Sequence, residues 1–249
     1  MLSLFLLFAA GLLAGAINSV AGGGSFVSFP ALLFAGVAPV IANATNAIAV
    51  WPAGVASAFA YRKELDVPRP VLVALGTASL LGGLAGAIVL LRTPDATFVK
   101  QLPWLLLVAT VIFTVGPAFT RRTRGAFSSK AALAMTALAQ FFIALYGGYF
   151  GAGMGILMLA TMSLMGMRHI HTMNALKAVL GVLINGIAVV AFMVGGAVAW
   201  RAGVVMICGA TLGGYAGARV ARRLDPKWVR RFVALVAWGL TGYFFIRSG

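Results

Sequence analysis

The chain alternates between long apolar stretches and short polar gaps. A helix needs about 20 apolar residues to cross the ~30 Å hydrocarbon core of a bilayer. By that measure the sequence predicts spans at 2–20, 42–61, 70–91, 101–119, 131–150, 172–194, 202–218 and 229–246. The pattern is typical of an all-α, polytopic membrane protein.

Two further apolar pieces are too short to cross a bilayer, and both lie beside glycine runs. The piece at 24–36 begins within "NSVAGGGSF" (18–26), and the piece at 153–166 begins within "GGYFGAGMG" (147–155). Glycine inside a plain helix costs roughly 1 kcal/mol relative to alanine. The glycine runs therefore indicate breaks between half-helices.

The two halves of the chain resemble each other. "LGGLAGA" at 81–87 recurs as "LGGYAGA" at 212–218, 131 positions later, and an offset of 130 aligns Gly23 with Gly153 and Gly36 with Gly166. Chance is the alternative, because small residues at this spacing are common in membrane helices. Two separate sequence matches at nearly the same offset favour duplication. We therefore predict transmembrane repeats at 1–124 and 125–249.

Loop charges indicate how each repeat is threaded, because positive residues collect on the cytoplasmic side. If each glycine-broken element crossed the membrane once, the Lys and Arg residues in the gaps would divide evenly between the two sides. If each is a hairpin that enters and returns on one side, one side holds Arg62, Lys63, Arg69, Arg121, Arg122, Arg124, Lys130, Arg168, Arg219, Arg222, Arg223, Lys227, Arg230 and Arg231. The other side then holds only Arg92, Lys100, Arg201 and Arg247. The bias predicts two inverted-topology repeats, each with a hairpin and three full transmembrane helices.

Composition narrows the chemistry. Hydrophobic residues make up 62% of the chain, charged residues 9%, and the mean hydropathy is +1.03. The net charge of +15 lies in short gaps rather than on a soluble face, which argues against nucleic-acid binding. All four acidic residues lie in predicted loops, so we expect no carboxylate proton relay within the bilayer.

Cysteine and histidine offer little for a catalytic or metal site. The single cysteine, Cys208, lies in an apolar run and reads as a small buried packing residue. His169 and His171 lie at a span boundary, which is more typical of an interfacial pair than of a metal site. We predict no enzyme activity, cofactor, metal site or catalytic residue.

The glycine breaks mark the candidate cavity. Irregular backbone at membrane depth persists only when it is buried in protein or lines a cavity, and half-helix N-termini direct N–H groups toward anions. Glycine lets a ligand approach the backbone closely. The candidate substrate-binding residues are Asn18, Gly22, Gly23, Gly24, Ser25, Thr45, Asn46, Gly151, Gly153, Gly155, Asn174 and Lys177.

Several of these residues have a structural alternative. Asn18, Thr45 and Asn46 also fit a role as hydrogen-bonding links between helices. Lys177 lies five residues into its span and also fits a side chain that snorkels to the cytoplasmic surface.

The segment "GAINSVAGGGSFVSFPALLFAGVAPVIANATNAIAVWP" (15–52) resembles the opening signature of the TauE/SafE family, also called the 4-toluene sulfonate uptake permease family. The matching features are the glycine cluster, Pro30, Gly36 and an Ala-x-x-Thr-Asn element ending at Asn46. "GGYFGAGMGILML" (147–159) and "TMNALKAVLGVLING" (172–186) resemble its second-half counterpart, although no proline follows the glycines there. That departure argues against a strictly symmetric site.

The resemblance implies a bacterial inner-membrane carrier for sulfite, organosulfonates such as sulfoacetate, or related anions. Held between the two glycine breaks at mid-membrane, such an anion would meet N–H groups, Asn and Thr side chains and few full charges. If transport is proton-coupled, we expect the substrate, His171 or Lys177 to carry the proton. The alternative is an anion channel or facilitator lined by the same glycines. The expected partners are the small anion, the lipid bilayer and a second copy in a homodimer.

The hairpin arrangement predicts that both termini face the periplasm or the exterior. Alkaline phosphatase fused after Gly249 should be active, because it folds only outside the cytoplasm, and a green fluorescent protein fusion there should be dark. A C-terminal reporter that works only in the cytoplasm would contradict this topology.

Overall fold

The computed structural model of the protein describes residues 2–20, 23–119, 130–164, 166–167, 169–220 and 226–248. A short 3₁₀ helix, Arg62–Glu64, follows the third α-helix. The α-helices in these ranges are α1 (Leu2–Val20), α2 (Ser25–Phe34), α3 (Pro39–Ala60), α4 (Arg69–Arg92), α5 (Asp95–Phe119), α6 (Lys130–Tyr149), α7 (Met154–Leu164), α8 (Ile170–Val194), α9 (Trp200–Val220) and α10 (Pro226–Ser248).

These helices confirm the all-α fold class and the two breaks. The short pieces are α2, with 10 residues, and α7, with 11. Within the described residues, four helices are long and apolar enough to cross a membrane by length and composition: Arg69–Arg92, Asp95–Val115, Ala131–Tyr149 and Ile170–Val194. The described parts of α1 and α10 also form apolar helices, of shorter apolar length.

The α2 and α7 helices end in the same way, 130 positions apart. Val37 N–H donates to Leu32 O, and Met167 N–H donates to Met162 O, each at 3.1 Å. Gly36 and Gly166 have φ angles of 82° and 88°, which is the left-handed conformation that glycine adopts where a helix ends in a Schellman motif. The offset read from the sequence therefore aligns positions with the same backbone geometry.

The helices form two compact units, each with segments from both predicted repeats. Unit 1 contains Met1–Ala53, Leu91–Thr110 and Phe192–Gly249, and unit 2 contains Gly54–Leu90 and Val111–Ala191. Unit 1 thus places α1 and α2 with α9 and α10, while unit 2 places α4 with α6, α7 and most of α8. The repeat boundary near residue 124 stays a prediction, because the two compact units divide the chain at other positions.

In unit 1, α1 and α9 run parallel with their backbones in contact. A β-carbon at Gly11 would lie 2.7 Å from Met206 O, and one at Gly15 would overlap Ala210 O. One at Gly213 would overlap Leu12 O. Later residues of α1 meet later residues of α9, so the two helices run parallel. The glycines lack a side chain, which lets the two backbones come into contact.

The chain doubles back in unit 1 between α1 and α3. Thr45, near the start of α3, accepts a hydrogen bond from Ala199 N–H, just before α9, at 3.0 Å. Because α9 runs parallel to α1, this contact puts the beginnings of α1 and α3 at one end of the unit. The α2 helix has therefore returned the chain to the end from which α1 started.

Unit 2 contains a second hairpin of the same kind. A β-carbon at Gly82 would lie 2.8 Å from Ala144 Cβ, and one at Gly86 would lie 2.8 Å from Tyr149 N, so α4 and α6 run parallel. The α4 helix meets α8 at Leu183 through Gly76 and at Ile184 and Ile187 through Gly83, so the later α4 glycine meets the later α8 residues. Since α6 and α8 both run parallel to α4, α7 returns the chain to the end at which α6 began.

The recurring glycine motif has the same structural role in both units. Gly82 and Gly213 are 131 positions apart, and each faces the backbone of the first helix of its unit's hairpin. Gly82, Gly86 and Gly213 are therefore positions where two helix backbones pack closely. The surroundings of Gly217, which the 131-residue offset aligns with Gly86, lie outside those described.

The α5 and α10 helices occupy equivalent places in the predicted repeats and run antiparallel within unit 1. The Thr110 and Thr241 hydroxyl oxygens lie 3.1 Å apart, and the Trp104 and Phe245 rings are in edge-to-face contact at 5.1 Å. Opposite directions for equivalent helices are what inverted repeats require. The inversion of the complete repeats stays a prediction.

Replacing Gly213 by alanine should lower the stability of the protein by about 1–3 kcal/mol, because the new methyl group would overlap the α1 backbone. Gly239→Ala, at an exposed glycine of α10 where a β-carbon would have no atom within 4 Å, should be neutral or raise stability. Thermal unfolding of both variants in detergent measures the difference. Equal midpoints for the two would contradict the close contact between α1 and α9.

Candidate functional site

The turns of the two hairpins share one backbone arrangement. Gly23 and Gly153 have φ angles of 89° and 78°, which glycine adopts without a side-chain penalty. Gly23 O accepts from Phe26 N–H and Gly153 O accepts from Ile156 N–H, each at 3.0 Å. The two turns are therefore equivalent positions, as the 130-residue offset predicts.

A side chain of α1 closes the first turn. Asn18 Oδ1 accepts a hydrogen bond from Gly24 N–H at 2.8 Å. Gly24 is pressed against α1, since a β-carbon there would overlap Ala14 O. Asn18 and Gly24 thus hold the start of α2 against the end of α1, and Ser25 is the first residue of α2.

Behind the first turn lies a buried polar network. The Ser28 hydroxyl oxygen is 2.5 Å from Asn46 Oδ1 and 3.1 Å from Gly24 O. These contacts link α2 to α3, and Thr45, beside Asn46, is tied to Ala199 at the start of α9. Asn18, Thr45 and Asn46 all have protein partners, which favours their role as links between helices.

A different side chain closes the second turn. The Tyr146 hydroxyl donates to Ala152 O at 2.7 Å, and Gly151 N–H donates to Tyr146 O at 3.1 Å. The Tyr146 ring makes an edge-to-face contact with Phe150 at 6.4 Å. Gly151 has a φ angle of 81°, so two left-handed glycines, at 151 and 153, shape this turn.

Three residues chosen from the sequence meet at the start of α7. The stem of Lys177 covers Gly155, with Cδ 3.4 Å from where a β-carbon would lie. Lys177 Nζ donates to Asn174 Oδ1 at 3.0 Å. Gly155, Asn174 and Lys177 therefore form one cluster beside the N-terminus of α7.

The two turns differ in charge. Residues 1–61 contain no acidic or basic side chain, so the hairpin of unit 1 is neutral. In unit 2, Lys177 brings a cation whose hydrogen-bond partner among the described residues is a neutral amide. The positive end of the α7 dipole lies at the same place, and both features favour an anion.

The other sequence-based expectations have mixed outcomes. Gly22 lies outside the described residues. Cys208 is exposed, so the expectation of a buried packing residue is wrong: it lies on a face of α9 directed away from the interior. Asp95, which lies in a predicted loop, is the first residue of α5, and its carboxylate accepts a hydrogen bond from Val40 N–H at 2.9 Å.

Sequence reasoning missed two polar links. Ser28 is buried, and its position four residues after Gly24 matches the spacing at which a serine hydroxyl reaches a backbone carbonyl in a helix. Gln140 Nε2 donates to Ser79 Oγ at 2.8 Å between α6 and α4. A polar residue in an apolar span was the available signal for both.

Comparison with known proteins gives one consistent result. Residues 7–244 match the family described as "Sulfite exporter TauE/SafE". A "Probable membrane transporter protein" of Haemophilus influenzae is 30% identical over 96% of this chain and 92% of its own length. "Probable membrane transporter protein YfcA" of Escherichia coli K12 is 29% identical over 95% of this chain and 87% of its own length. No solved structure shows a significant match.

Ser28→Ala should lower the free energy of unfolding by about 1–3 kcal/mol, because it leaves the buried Asn46 amide without its partner. Adding Asn46→Leu should restore part of the loss, since both polar partners are then gone. Ser57→Ala, at an exposed position of α3, is the matched control. Thermal unfolding measures all three, and a Ser28→Ala variant as stable as the control would contradict the linking role.

Proposed function

Since this chain belongs to the TauE/SafE family, we propose that it is a secondary transporter of small sulfur-containing anions, sulfite or organosulfonates such as sulfoacetate. The relatives are named as probable membrane transporter proteins, and they match nearly the whole chain. The proposal places the protein in the bacterial inner membrane with both termini on the periplasmic side. The loop charges support that orientation.

The observation that carries the substrate class is the Lys177 cluster at the start of α7. Lys177 is half-buried, lies beside a helix N-terminus and is bonded to a neutral amide. A cation without a carboxylate partner in an apolar layer is costly unless it pairs with another charge. A small oxyanion would supply that charge and accept hydrogen bonds from the ammonium group and nearby backbone amides.

The sparse charge suits a carrier rather than a storage site. Transport requires release on the far side, and an anion held by several full charges would leave slowly. One lysine with backbone and amide donors gives a moderate site. Proton coupling belongs to the same proposal, with the substrate, His171 or Lys177 carrying the proton, because the sequence places its four acids outside the apolar spans.

The first test is thermal stabilisation of the purified protein by sulfite, sulfoacetate, taurine, thiosulfate, sulfate and simple carboxylates. We expect sulfur-containing anions to raise the unfolding midpoint most, because binding to the folded state stabilises it. No stabilisation by any sulfur anion would contradict the substrate assignment.

Lys177→Met should raise the KM for anion transport in proteoliposomes by about 10- to 100-fold, the effect of losing one hydrogen bond to a charged group. Lys177→Arg should keep part of the affinity. Arg201→Gln, at an exposed position of α9, is the control and should behave as wild type. Saturation and counterflow would separate a carrier from a channel, and transport unchanged after collapse of the proton gradient would exclude proton coupling.

A further inference from the structure

We infer that Asn174 is a substrate-binding residue that makes the Lys177 cluster selective for anions. Its carbonyl oxygen holds the lysine without neutralising it, and its amide nitrogen offers the substrate a second hydrogen-bond donor. The inference rests on the proposed function. It is carried by two neighbouring side chains of α8 and by what each of their polar atoms contacts.

The orientation of the Asn174 carboxamide follows from its partner. Lys177 Nζ donates to Asn174 Oδ1 at 3.0 Å, and an ammonium group has donors only. The carboxamide oxygen therefore faces the lysine, because the nitrogen in that place would set two donors against each other. The oxygen is used inside the protein, and the Nδ2 group with its two N–H bonds is left over.

The amide nitrogen of Asn174 is open to a ligand. It has no acceptor among the described residues. In the same part of the chain, no side-chain nitrogen or oxygen that is fully buried lacks a partner, so this nitrogen is accessible within a half-buried residue. Asn185, further along α8, differs, because its Nδ2 donates to Gly181 O at 3.0 Å and is already occupied.

Asn174 and Lys177 lie on the face of α8 that meets the start of α7. They are three residues apart, the spacing that brings side chains together on a helix. One turn later, a β-carbon at Gly181 would lie 4.0 Å from Met154 Cε, and the Lys177 stem covers Gly155. The ammonium group and the amide nitrogen are therefore neighbouring donors beside one short segment of α7. An anion with several oxygens on one atom, such as sulfite or a sulfonate, can accept from both.

The neutrality of Asn174 preserves the charge of the pair. Residues 111–191 of unit 2 contain no acidic residue, and the two acids of the unit, Glu64 and Asp66, are exposed between α3 and α4. A carboxylate at position 174 would have nearly the same size and would form an ion pair with Lys177, which leaves little net charge for a substrate. The amide holds the lysine in place and keeps its charge available to the anion.

Asn174→Asp tests the inference, because it exchanges the amide NH2 for an oxygen at nearly constant size. The new ion pair with Lys177 should raise the unfolding midpoint in the absence of anion, since the lysine gains a charged partner. Stabilisation by sulfite should be lost, and KM for sulfite in proteoliposomes should rise at least about 10-fold. A residue that only supports the fold would not raise stability and lower anion affinity together.

Two further variants complete the comparison. Asn174→Ala removes the second donor and adds no charge, so KM for sulfite should rise about 5- to 10-fold, the scale of one neutral hydrogen bond. Gln101→Glu makes the same amide-to-carboxylate change at an exposed position of α5 in unit 1 and should alter neither sulfite binding nor KM.

The outcomes separate the inference from the proposed function. If wild type binds sulfite and Asn174→Asp binds it equally well, the inference is overturned while the transport function stands. An unchanged KM in Asn174→Ala would likewise overturn the role of the amide as a second donor. If neither sulfite nor any other sulfur anion stabilises wild type, the proposed function itself fails.

Discussion

A helix that ends inside an apolar layer leaves backbone N–H and C=O groups that lipid cannot satisfy. The rest of this structure depends on how that cost is met. Each broken element folds back as a hairpin, and the first helix of the hairpin packs backbone to backbone against a parallel helix. Gly15 and Gly213 permit that approach in unit 1, and Gly82 and Gly86 permit it in unit 2.

The parallel partner comes from the other half of the sequence in both cases. The α1 helix packs against α9, and α6 packs against α4, so neither predicted repeat builds its compact unit alone. This exchange explains why the glycine motif recurs at 81–87 and 212–218. Its function is to receive a hairpin, and each half of the chain provides the receiving surface for the hairpin of the other half.

Equivalent backbone does not make the two turns chemically equal. Gly23 and Gly153 share their conformation, but Asn18 occupies an amide in the first turn and Tyr146 occupies a carbonyl in the second. Lys177 adds a cation beside the second turn alone. The two turns of this TauE/SafE family member therefore differ in the side chains that close them and in the charge beside them.

The sequence alone determined the helices, the breaks and the repeat offset. These features depend on local properties of the chain. About 20 apolar residues span a bilayer as a helix, and glycine in an apolar run marks a backbone conformation that other residues rarely adopt. The short lengths of α2 and α7 and the left-handed Gly36 and Gly166 agree with that reading. Helical spacing also places Asn174 and Lys177 on one face of α8, but the contact of Lys177 with Gly155 of α7 was decided by tertiary packing.

Only the tertiary structure decided which helices are partners and which polar groups are already used. In a membrane protein nearly every helix face is apolar, so hydropathy does not specify which helices are neighbours. Cys208 is exposed although it lies in an apolar run, and α4 and α9 each pack in a unit with the hairpin of the other half of the chain. Likewise, the sequence does not distinguish an Asn or Thr side chain that binds substrate from one that bonds to a neighbouring helix. Asn18, Thr45 and Asn46 were assigned their partners by contacts 6 to 154 residues away along the chain.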